Sequence, residues 1–326
     1  MSKWELIKKH SLTTKESLKM VWKGKKVGLA LGGGGARGLA HIGVLEVFEN
    51  ESIPIDILVG TSIGALVGAA YASGINPKDL KTIVTEYLNS AEFQSSALKA
   101  IEQTYIREKI SITQKIQGYF KDRFFLIQAF FKPGIFPNSE MQKLIDYFLP
   151  DIDIKETKIP FRSVATDLVS GQHITFSEGS LRQAVLASCS VPGAIEPLKE
   201  GKKLLSDGGI ICLVPTSVAR REGANMVIAV SVDRDIYSEE DFNTAVSVYQ
   251  RANEIMSHKL EIYELREADI VITPTVGNLH WSEFSQADNL IYEGEKATME
   301  KLNAIHRFIY GPKWWSKVKQ FLGQSY

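Results

Sequence analysis

The 326-residue chain is 44% hydrophobic and 23% charged, and its 38 basic residues are balanced by 38 acidic ones. This is a globular composition with apolar residues for one large or two modest domains, and zero net charge argues against a general nucleic-acid-binding protein. No apolar run approaches the roughly 18 to 20 residues of a membrane-spanning helix, and the N-terminus lacks the apolar stretch of a signal peptide, so we predict a cytoplasmic location.

The first predicted segment is a basic arm over residues 1–26. It holds eight lysines against Glu5 and Glu16, a net charge of six, and it contains apolar residues such as Trp4 and Trp22. Two interpretations fit this pattern. The arm is either a solvated, partly helical extension that packs on the body of the protein, or a segment that binds an anionic membrane surface.

The body of the protein begins with the apolar run Val27–Leu31. Its lack of alternation predicts a strand that is buried on both faces of a parallel sheet. Four glycines, Gly32 to Gly35, follow this strand and lead into a predicted helix. Such a loop presents several backbone N–H groups to an anion, as phosphate loops and oxyanion holes do.

Two other anion-binding patterns share these glycines, and both fail here. Gly33-x-Gly35-x-x-Gly38 is formally a dinucleotide fingerprint, which requires an acidic residue at the end of the second strand. Asp56 stands at the start of that strand instead. A phosphate-binding P-loop needs a lysine after Gly38, where this chain has Leu39. An oxyanion loop remains as the interpretation of the glycines.

The second predicted strand, Ile55–Val59, ends in Gly60-x-Ser62-x-Gly64, and an apolar helix is predicted over Ile63–Ser73. In so sharp a strand-to-helix turn the flanking residues must let backbone pass close by, which glycines permit because they lack Cβ. The serine hydroxyl would lie near the helix N-terminus, where unpaired N–H groups and the helix dipole favour negative charge. The motif therefore predicts a nucleophile next to the oxyanion loop.

Predicted strands and helices alternate further along the chain, which indicates a parallel α/β sheet. Strands are predicted at FRSVATDL, HITFS, MVIAVSVD and ADIVITPTV, and helices after Asn76-Pro77, over residues 180–188 and over residues 239–266. Asp167 of the first of these strands is interpreted as capping a turn. Between these elements, the stretch 115–136 holds six phenylalanines. We weigh core packing of this stretch against a cap or groove for acyl chains.

Six motifs now lie in order along the chain: GGGGARGLAHIGVL, GTSIGA, ATDL, ASCSVPG, SDGG and PTSVAR. In this order and at these separations they closely resemble the bacterial patatin-like phospholipase family over roughly residues 26–276. The resemblance implies a three-layer α/β/α patatin-like fold with a mostly parallel central sheet. It divides the chain into the basic arm 1–26, a phospholipase domain 27–276 and a C-terminal helical segment 277–326.

The resemblance also implies a serine lipid acyl hydrolase with a Ser-Asp dyad, without histidine, metal or cofactor. By position, Ser62 is the nucleophile and Asp207 the base. The implied residues of the oxyanion loop are Gly33, Gly34, Gly35 and Arg37, and those that flank the motifs are Gly60, Gly64, Gly208 and Gly209. Cys189 departs from the usual pattern, because a small residue such as serine is common there, and Cys212 stands in a variable loop. The two cysteines have neither the number of a disulfide framework nor the spacing of metal ligands.

The implied reaction is cleavage of acyl esters in a phospholipid or lysophospholipid, and two alternatives stay open. The first is an esterase triad of Ser62, Asp207 and His280, whose chain order is that of α/β-hydrolases. His258 is a weaker candidate, because a lone helical histidine is more often on a solvated face, and His41 is interpreted as structural. The second alternative is a non-catalytic regulator or adaptor on the same scaffold.

A helix is predicted over residues 287–310, and Gly311-Pro312 ends it before an amphipathic tail, KWWSKVKQFLG. Trp314, Trp315 and three aliphatic or aromatic residues share one helical side, which is typical of an interfacial anchor. The alternative is a terminal helix that docks its tryptophans on the domain. Together with the basic arm, the tail predicts peripheral association with the inner face of the membrane, while the sequence does not indicate an oligomeric state.

Overall fold

The computed structural model describes residues 26–96, 98–100, 102–103, 133–234, 236 and 244–311. Three predictions therefore lie outside the described residues: the basic arm up to residue 25, the aromatic stretch as far as residue 132, and the amphipathic tail from Lys313.

Within these residues the chain forms a large sheet and a small two-stranded one. The strands are β1 Val27–Leu31, β2 Ile57–Thr61, β3 Gly134–Phe136, β4 Phe161–Asp167, β5 Gln172–Phe176, β6 Gly193–Ile195, β7 Leu198–Glu200, β8 Lys203–Asp207, β9 Met226–Val230 and β10 Ile270–Ile272. The large sheet has the order β10-β9-β1-β2-β4-β8-β7, with β5 also paired to β4, and β3 pairs with β6.

The large sheet is mostly parallel, which confirms the predicted fold class. Strands β10, β9, β1, β2 and β4 are successive parallel neighbours. Strands β5 and β8 pair antiparallel with β4, and β7 pairs antiparallel with β8. The central strands β1 and β9 are buried along their whole length. Their continuous apolar sequences follow from burial on both faces of the sheet.

Helices cover both faces of this sheet and make three layers. They are α1 Ala40–Asn50, α2 Ile63–Ser73, α3 Pro77–Asn89, α4 Ala91–Gln94, α5 Asn138–Phe148, α6 Leu181–Ser188, α7 Thr216–Arg221, α8 Ala245–Leu265 and α9 Ala287–Tyr310. Leu29 and Leu31 of β1 face a large apolar cluster with α1, α2 and α9, whereas Ala30 faces a smaller cluster with α7. This alternation follows from the two-residue period of a strand. Among the helices described, none combines the length and apolar character needed to cross a membrane.

Strand β2 differs from its prediction by two residues at each end. It begins at Ile57, because the Asp56 carboxylate accepts a hydrogen bond from the Val27 N–H at 2.8 Å before the strand starts. It continues through Gly60 and Thr61, because these residues still pair with β4. Gly60 therefore lies within the strand, and the turn begins at Ser62.

The register across β4 decides which side chains meet at the carboxyl edge of β2. Thr61 pairs with Val164 of β4, and the next residue, Ala165, pairs with Asp207 of β8. Because β8 runs antiparallel to β4, it enters from beyond this edge and ends at Asp207. Ser62 and Asp207 are thus brought to the same level of the sheet on either side of β4.

Candidate active site

Ser62 occupies the corner between β2 and α2 with an unusual backbone conformation. Its φ is 54° and its ψ −126°, a region that side-chain-bearing residues rarely adopt and that is associated with functional sites. A Cβ at Gly60 would lie 2.4 Å from the Gly64 carbonyl oxygen, and one at Gly64 would lie 2.3 Å from the Leu31 carbonyl oxygen. Only glycine fits these two positions, which confirms the predicted close passage of the backbone.

The Asp207 side chain lies near enough to the Ser62 hydroxyl for that hydroxyl to act on its pKa. The same carboxylate accepts the Gly209 N–H at 2.7 Å. Both side chains are buried, with Ser62 8% and Asp207 6% exposed. Burial raises the pKa of Asp207 to about 6, although the Ser62 hydroxyl and the Gly209 N–H act to lower it. The carboxylate is therefore a stronger base than an aspartate in water.

Sequence reasoning missed a second serine that fixes the corner. The Ser62 N–H donates to the Ser188 hydroxyl oxygen at 2.8 Å, and that hydroxyl donates to the Val164 carbonyl at 2.6 Å. Ser188 is the last residue of α6 and is fully buried. It lies within the ASCSVPG motif, which carried the resemblance without a role for this residue. The hydrogen bonds hold the strained serine backbone to β4.

The glycine loop runs beside Ser62 before it enters a short 3₁₀ helix, Gly35–Leu39. The Gly33 N–H donates to the Leu213 carbonyl at 2.9 Å and so is occupied. A Cβ at Gly33 would lie 3.3 Å from the Ser62 Cβ, which shows how closely the loop passes the serine. In the described part of the chain, the N–H groups of Gly34 and Gly35 donate to no protein acceptor.

Arg37 braces this loop from within the protein. Its Nε donates to the Gly34 carbonyl at 3.0 Å, and its Nη1 lies 2.8 Å from Oδ1 of Asp233. The side chain is largely buried. The guanidinium is thus engaged by the loop and by Asp233, and it fixes the direction of the Gly34 peptide.

The hydrogen-bond partners found for His280 and His41 lie outside the pair Ser62 and Asp207. His280 Nδ1 lies 2.8 Å from the Ser282 hydroxyl oxygen, and its backbone N–H donates to Glu283. His41 is fully buried, and its Nε2 lies 2.8 Å from the Gly32 carbonyl oxygen. Burial lowers the pKa of His41 to about 4, so the ring is neutral and donates this hydrogen bond. The structural interpretation of His41 is confirmed.

The two cysteines are buried thiols that flank the site. Burial raises the pKa of Cys189 well above its ordinary value, and the nearby Asp207 charge raises it further. Burial likewise raises the pKa of Cys212, as does Glu264. Both thiols are therefore protonated at neutral pH, and neither is an activated nucleophile.

An apolar cavity begins at the residue after Ser62. Molecules the size of water can occupy about 40 Å³ of it, and part of it is open to solvent. The helices α2, α3 and α5 supply most of its lining. The residues are Leu39, Ile63, Leu66, Val67, Leu80, Val84, Tyr87, Leu88, Phe93, Leu144, Phe148 and Phe284.

Comparison with known proteins decides the family. The family model described as patatin-like phospholipase matches residues 29–220, which include the glycine loop, Ser62 and Asp207. This chain belongs to the patatin-like phospholipase family. The predicted resemblance is thereby confirmed.

Two relatives and one solved structure illustrate what this chain is similar to. The patatin-like phospholipase domain-containing protein 6 of Homo sapiens is 31% identical over 70% of this chain and 14% of that protein. An uncharacterized NTE family protein of Mycobacterium tuberculosis is 28% identical over 86% of this chain and 47% of that protein. The crystal structure of VipD from Legionella pneumophila is 17% identical over 86% of this chain and 67% of that chain, with a TM-score of 0.45. The chain spans less than half the length of the two curated relatives.

Proposed function

We propose that this patatin-like phospholipase family member hydrolyses acyl esters of lipids, with Ser62 as nucleophile and Asp207 as base. The observation that carries this proposal is that Ser62, at a strained strand-to-helix corner, and Asp207 are both buried at the same level of the sheet, on either side of β4. A serine hydroxyl is a poor nucleophile until a positioned base takes its proton. Burial makes Asp207 more basic than usual, with a pKa of about 6, and its position beside the Ser62 hydroxyl allows it to take that proton.

The reaction has two halves that use the same pair. Ser62 Oγ attacks the ester carbonyl carbon while its proton passes to Asp207, and a tetrahedral oxyanion forms. The bond to the leaving alcohol then breaks, and the alcohol takes the proton from Asp207. A water molecule next attacks the acyl-enzyme and gives its proton to Asp207. Collapse of this second intermediate releases the fatty acid and returns the proton to Ser62.

The oxyanion is stabilised by the glycine loop and the start of α2. Gly34 and Gly35 supply the N–H groups, because the Gly33 N–H is already bound by Leu213. Gly33 contributes its small size instead, which lets the loop approach the serine. Arg37 holds the Gly34 carbonyl and thereby orients the donors. Loss of one such donor typically costs on the order of 10² to 10³ in rate.

The acyl chain of the substrate occupies the apolar cavity of α2, α3 and α5. Ile63, which lines the cavity, directly follows the nucleophile, so an acyl group on Ser62 is next to this apolar surface. Burying each methylene of a chain contributes roughly 0.8 kcal/mol to binding. The apolar lining and the family support a phospholipid or lysophospholipid as the substrate.

The two alternatives predict different chemistry from the same residues. A triad through His280 requires that histidine to contact Ser62 or Asp207, whereas its Nδ1 has Ser282 as a partner. An adaptor requires no activated serine, yet the Ser62 and Asp207 side chains lie beside each other and are buried. Both observations favour the dyad hydrolase.

A fluorophosphonate probe tests the proposed function directly, because it labels activated serines covalently. We expect one labelled serine in the wild-type chain, identified as Ser62 by peptide mapping, and no labelling of Ser62→Ala. Ser190→Ala, which removes another buried hydroxyl, is the matched control and should keep the label. Labelling that persists in Ser62→Ala, or that is absent from a wild-type protein with a native circular-dichroism spectrum, would overturn the proposal.

The cavity is tested by narrowing it. Val84 of α3 is 5% exposed and lines the cavity, so Val84→Phe should lower hydrolysis of long-chain esters about tenfold relative to acetyl esters. Val248→Phe makes the same change on an exposed part of α8, where the side chain is 53% exposed, and should leave the ratio unchanged. If Val84→Phe lowered hydrolysis of short and long esters equally, the cavity would not be the binding site of the acyl chain.

Association with an anionic membrane remains a proposal that rests on the two ends of the sequence. The basic arm of residues 1–26 and the tail from Lys313 both combine lysines with tryptophans. Each lysine near an anionic surface contributes up to about 1 kcal/mol at low salt. Vesicle co-sedimentation should therefore fall with added salt and with deletion of either end, and equal pelleting of the doubly truncated protein would disprove it.

A further inference from the structure

Three side chains that bind metals in proteins converge behind the glycine loop. They are Asp233, His258 and Glu261, and one ligand atom of each lies within 4.8 Å of the other two. None of them belongs to the dyad. Arg37 connects the cluster to the glycine loop, because it contacts both Asp233 and the Gly34 carbonyl.

The fold places these residues together by running α8 beside the segment that follows β9. Ser231 contacts Glu261, and Arg234 contacts Glu254, so the segment and the helix lie side by side. His258 and Glu261 are three residues apart in α8 and share one helical face. Asp233 of the facing segment completes the group.

His258 has an atom that lacks a partner in the described part of the chain. Its Nδ1 is buried and makes no hydrogen bond, and it lies 3.8 Å from Oε2 of Glu261. This distance is too long for a hydrogen bond. It suits two ligands of one ion, since zinc bonds to nitrogen and carboxylate oxygen are each about 2.0 to 2.2 Å.

The surrounding contacts orient the carboxylates in the way that outer ligands of metal sites do. The Ser231 hydroxyl donates to Oε1 of Glu261, which leaves Oε2 facing His258. Arg37 binds Oδ1 of Asp233. The Glu261 side chain is 4% exposed, so its carboxylate lies away from solvent beside His258.

We propose that Asp233, His258 and Glu261 bind a divalent metal ion of the zinc class. An imidazole with two carboxylates suits Zn²⁺, whereas Mg²⁺ favours all-oxygen ligands. The ion stabilises the packing of α8 on the segment after β9 and takes no part in ester chemistry. Through the contacts of Arg37, its binding also fixes the glycine loop.

Isothermal titration of the full-length, untagged, EDTA-treated protein with ZnCl₂ tests this site. We expect one ion per chain with micromolar or tighter affinity, and a rise in Tm with Zn²⁺ that Mg²⁺ at the same concentration does not give. His258→Ala should weaken the affinity at least tenfold. His173→Ala is the matched control, because that ring contacts Arg221 on another part of the surface, and it should bind Zn²⁺ as wild type does.

His258→Gln and Glu261→Gln keep the side-chain size and guard against misfolding, which far-UV circular dichroism would detect. Each should also weaken Zn²⁺ binding at least tenfold while the spectrum stays native. A protonated His258 paired with Glu261 is the competing explanation of the cluster. This explanation predicts that Zn²⁺ does not bind saturably. Such a result would overturn the proposal, as would His258 variants that fold and bind Zn²⁺ with wild-type affinity.

Discussion

Two aspartates end neighbouring strands of the same sheet and have opposite properties. Asp167 of β4 accepts hydrogen bonds from the Ser170 hydroxyl at 2.7 Å and from the N–H groups of Val169 and Leu204, and these bonds lower its pKa. Asp207 of β8 lies beside the Ser62 hydroxyl and accepts the Gly209 N–H at 2.7 Å, and burial raises its pKa to about 6. Desolvation thus dominates the pKa of Asp207, whereas hydrogen-bond donors dominate that of Asp167.

Replacing each aspartate by asparagine gives the largest expected difference. Asp207→Asn should lower kcat/KM for a soluble ester by about 10⁴-fold, as should Ser62→Ala, because the serine loses its base or is itself removed. The double variant should be little worse than either single one, since the pair acts as a unit. Asp167→Asn should stay within a few-fold of wild type.

Steady-state kinetics on the four purified variants measures this difference. Native circular-dichroism spectra are required of all of them. His280→Ala sharpens the comparison. If it abolished turnover while Asp207→Asn retained most of it, a histidine triad would replace the dyad.

The pH profile should show the same contrast at a smaller scale. The base must be deprotonated to accept the serine proton, so kcat/KM should rise about tenfold per pH unit below about pH 6 and level off above it. Asp167→Asn should leave this profile unchanged. Glu264→Gln is a further control, because burial raises the pKa of Glu264 to about 7 without placing it in the dyad. If the rise of kcat/KM below about pH 6 disappeared in Glu264→Gln, the titrating carboxyl would be Glu264 and not Asp207.

Replacing each aspartate by asparagine should change the Tm at pH 7 in opposite directions. The pKa of Asp207 is about 6 in the folded state and about 3.9 in an unfolded chain, so the folded state binds more protons between these values. Its contribution to stability is present below about pH 4 and is lost as pH rises through about 6. At pH 7, Asp207→Asn should therefore raise the Tm by a few degrees, and this gain should vanish near pH 4.

The pKa of Asp167 is lowered, so its contribution is present above its ordinary value and is lost as pH falls through the folded-state value. Asp167→Asn should lower the Tm at pH 7. Thermal unfolding of both variants across this pH range measures the two signs. A lower Tm for Asp207→Asn at pH 7 would contradict the proposed desolvation of that carboxylate.

The sequence predicted those parts of the fold and site whose signals are local. Apolar runs such as Val27–Leu31 marked the buried strands. The motif Gly60-x-Ser62-x-Gly64 marked the corner, because the close passage of the backbone leaves no room for a Cβ at either glycine. Strand ends were less accurate. The predicted strand over residues 268–276 is only Ile270–Ile272, since it pairs with β9 alone.

Features that depend on long-range register could not be predicted in this way. Ser188 fixes the Ser62 backbone from 126 positions away, and nothing in its local sequence indicates that contact. His258 was expected on a solvated helical face, yet its Nδ1 is buried beside Glu261. Asp233 joins this pair only because α8 returns along the segment after β9.

Three successive residues after the Asp-Gly-Gly motif each hold a different part of the candidate site. The Cys212 carbonyl accepts the Thr61 hydroxyl, the Leu213 carbonyl accepts the Gly33 N–H, and the Val214 N–H donates to Glu264 of α8. Cys212 and Val214 pack on the α7 face of the sheet, whereas the cavity is lined from the opposite layer by α2 and α3. If the cavity binds the acyl chain as we propose, chain-length preference can be changed in one helical layer while the other keeps Ser62 and the glycine loop in place.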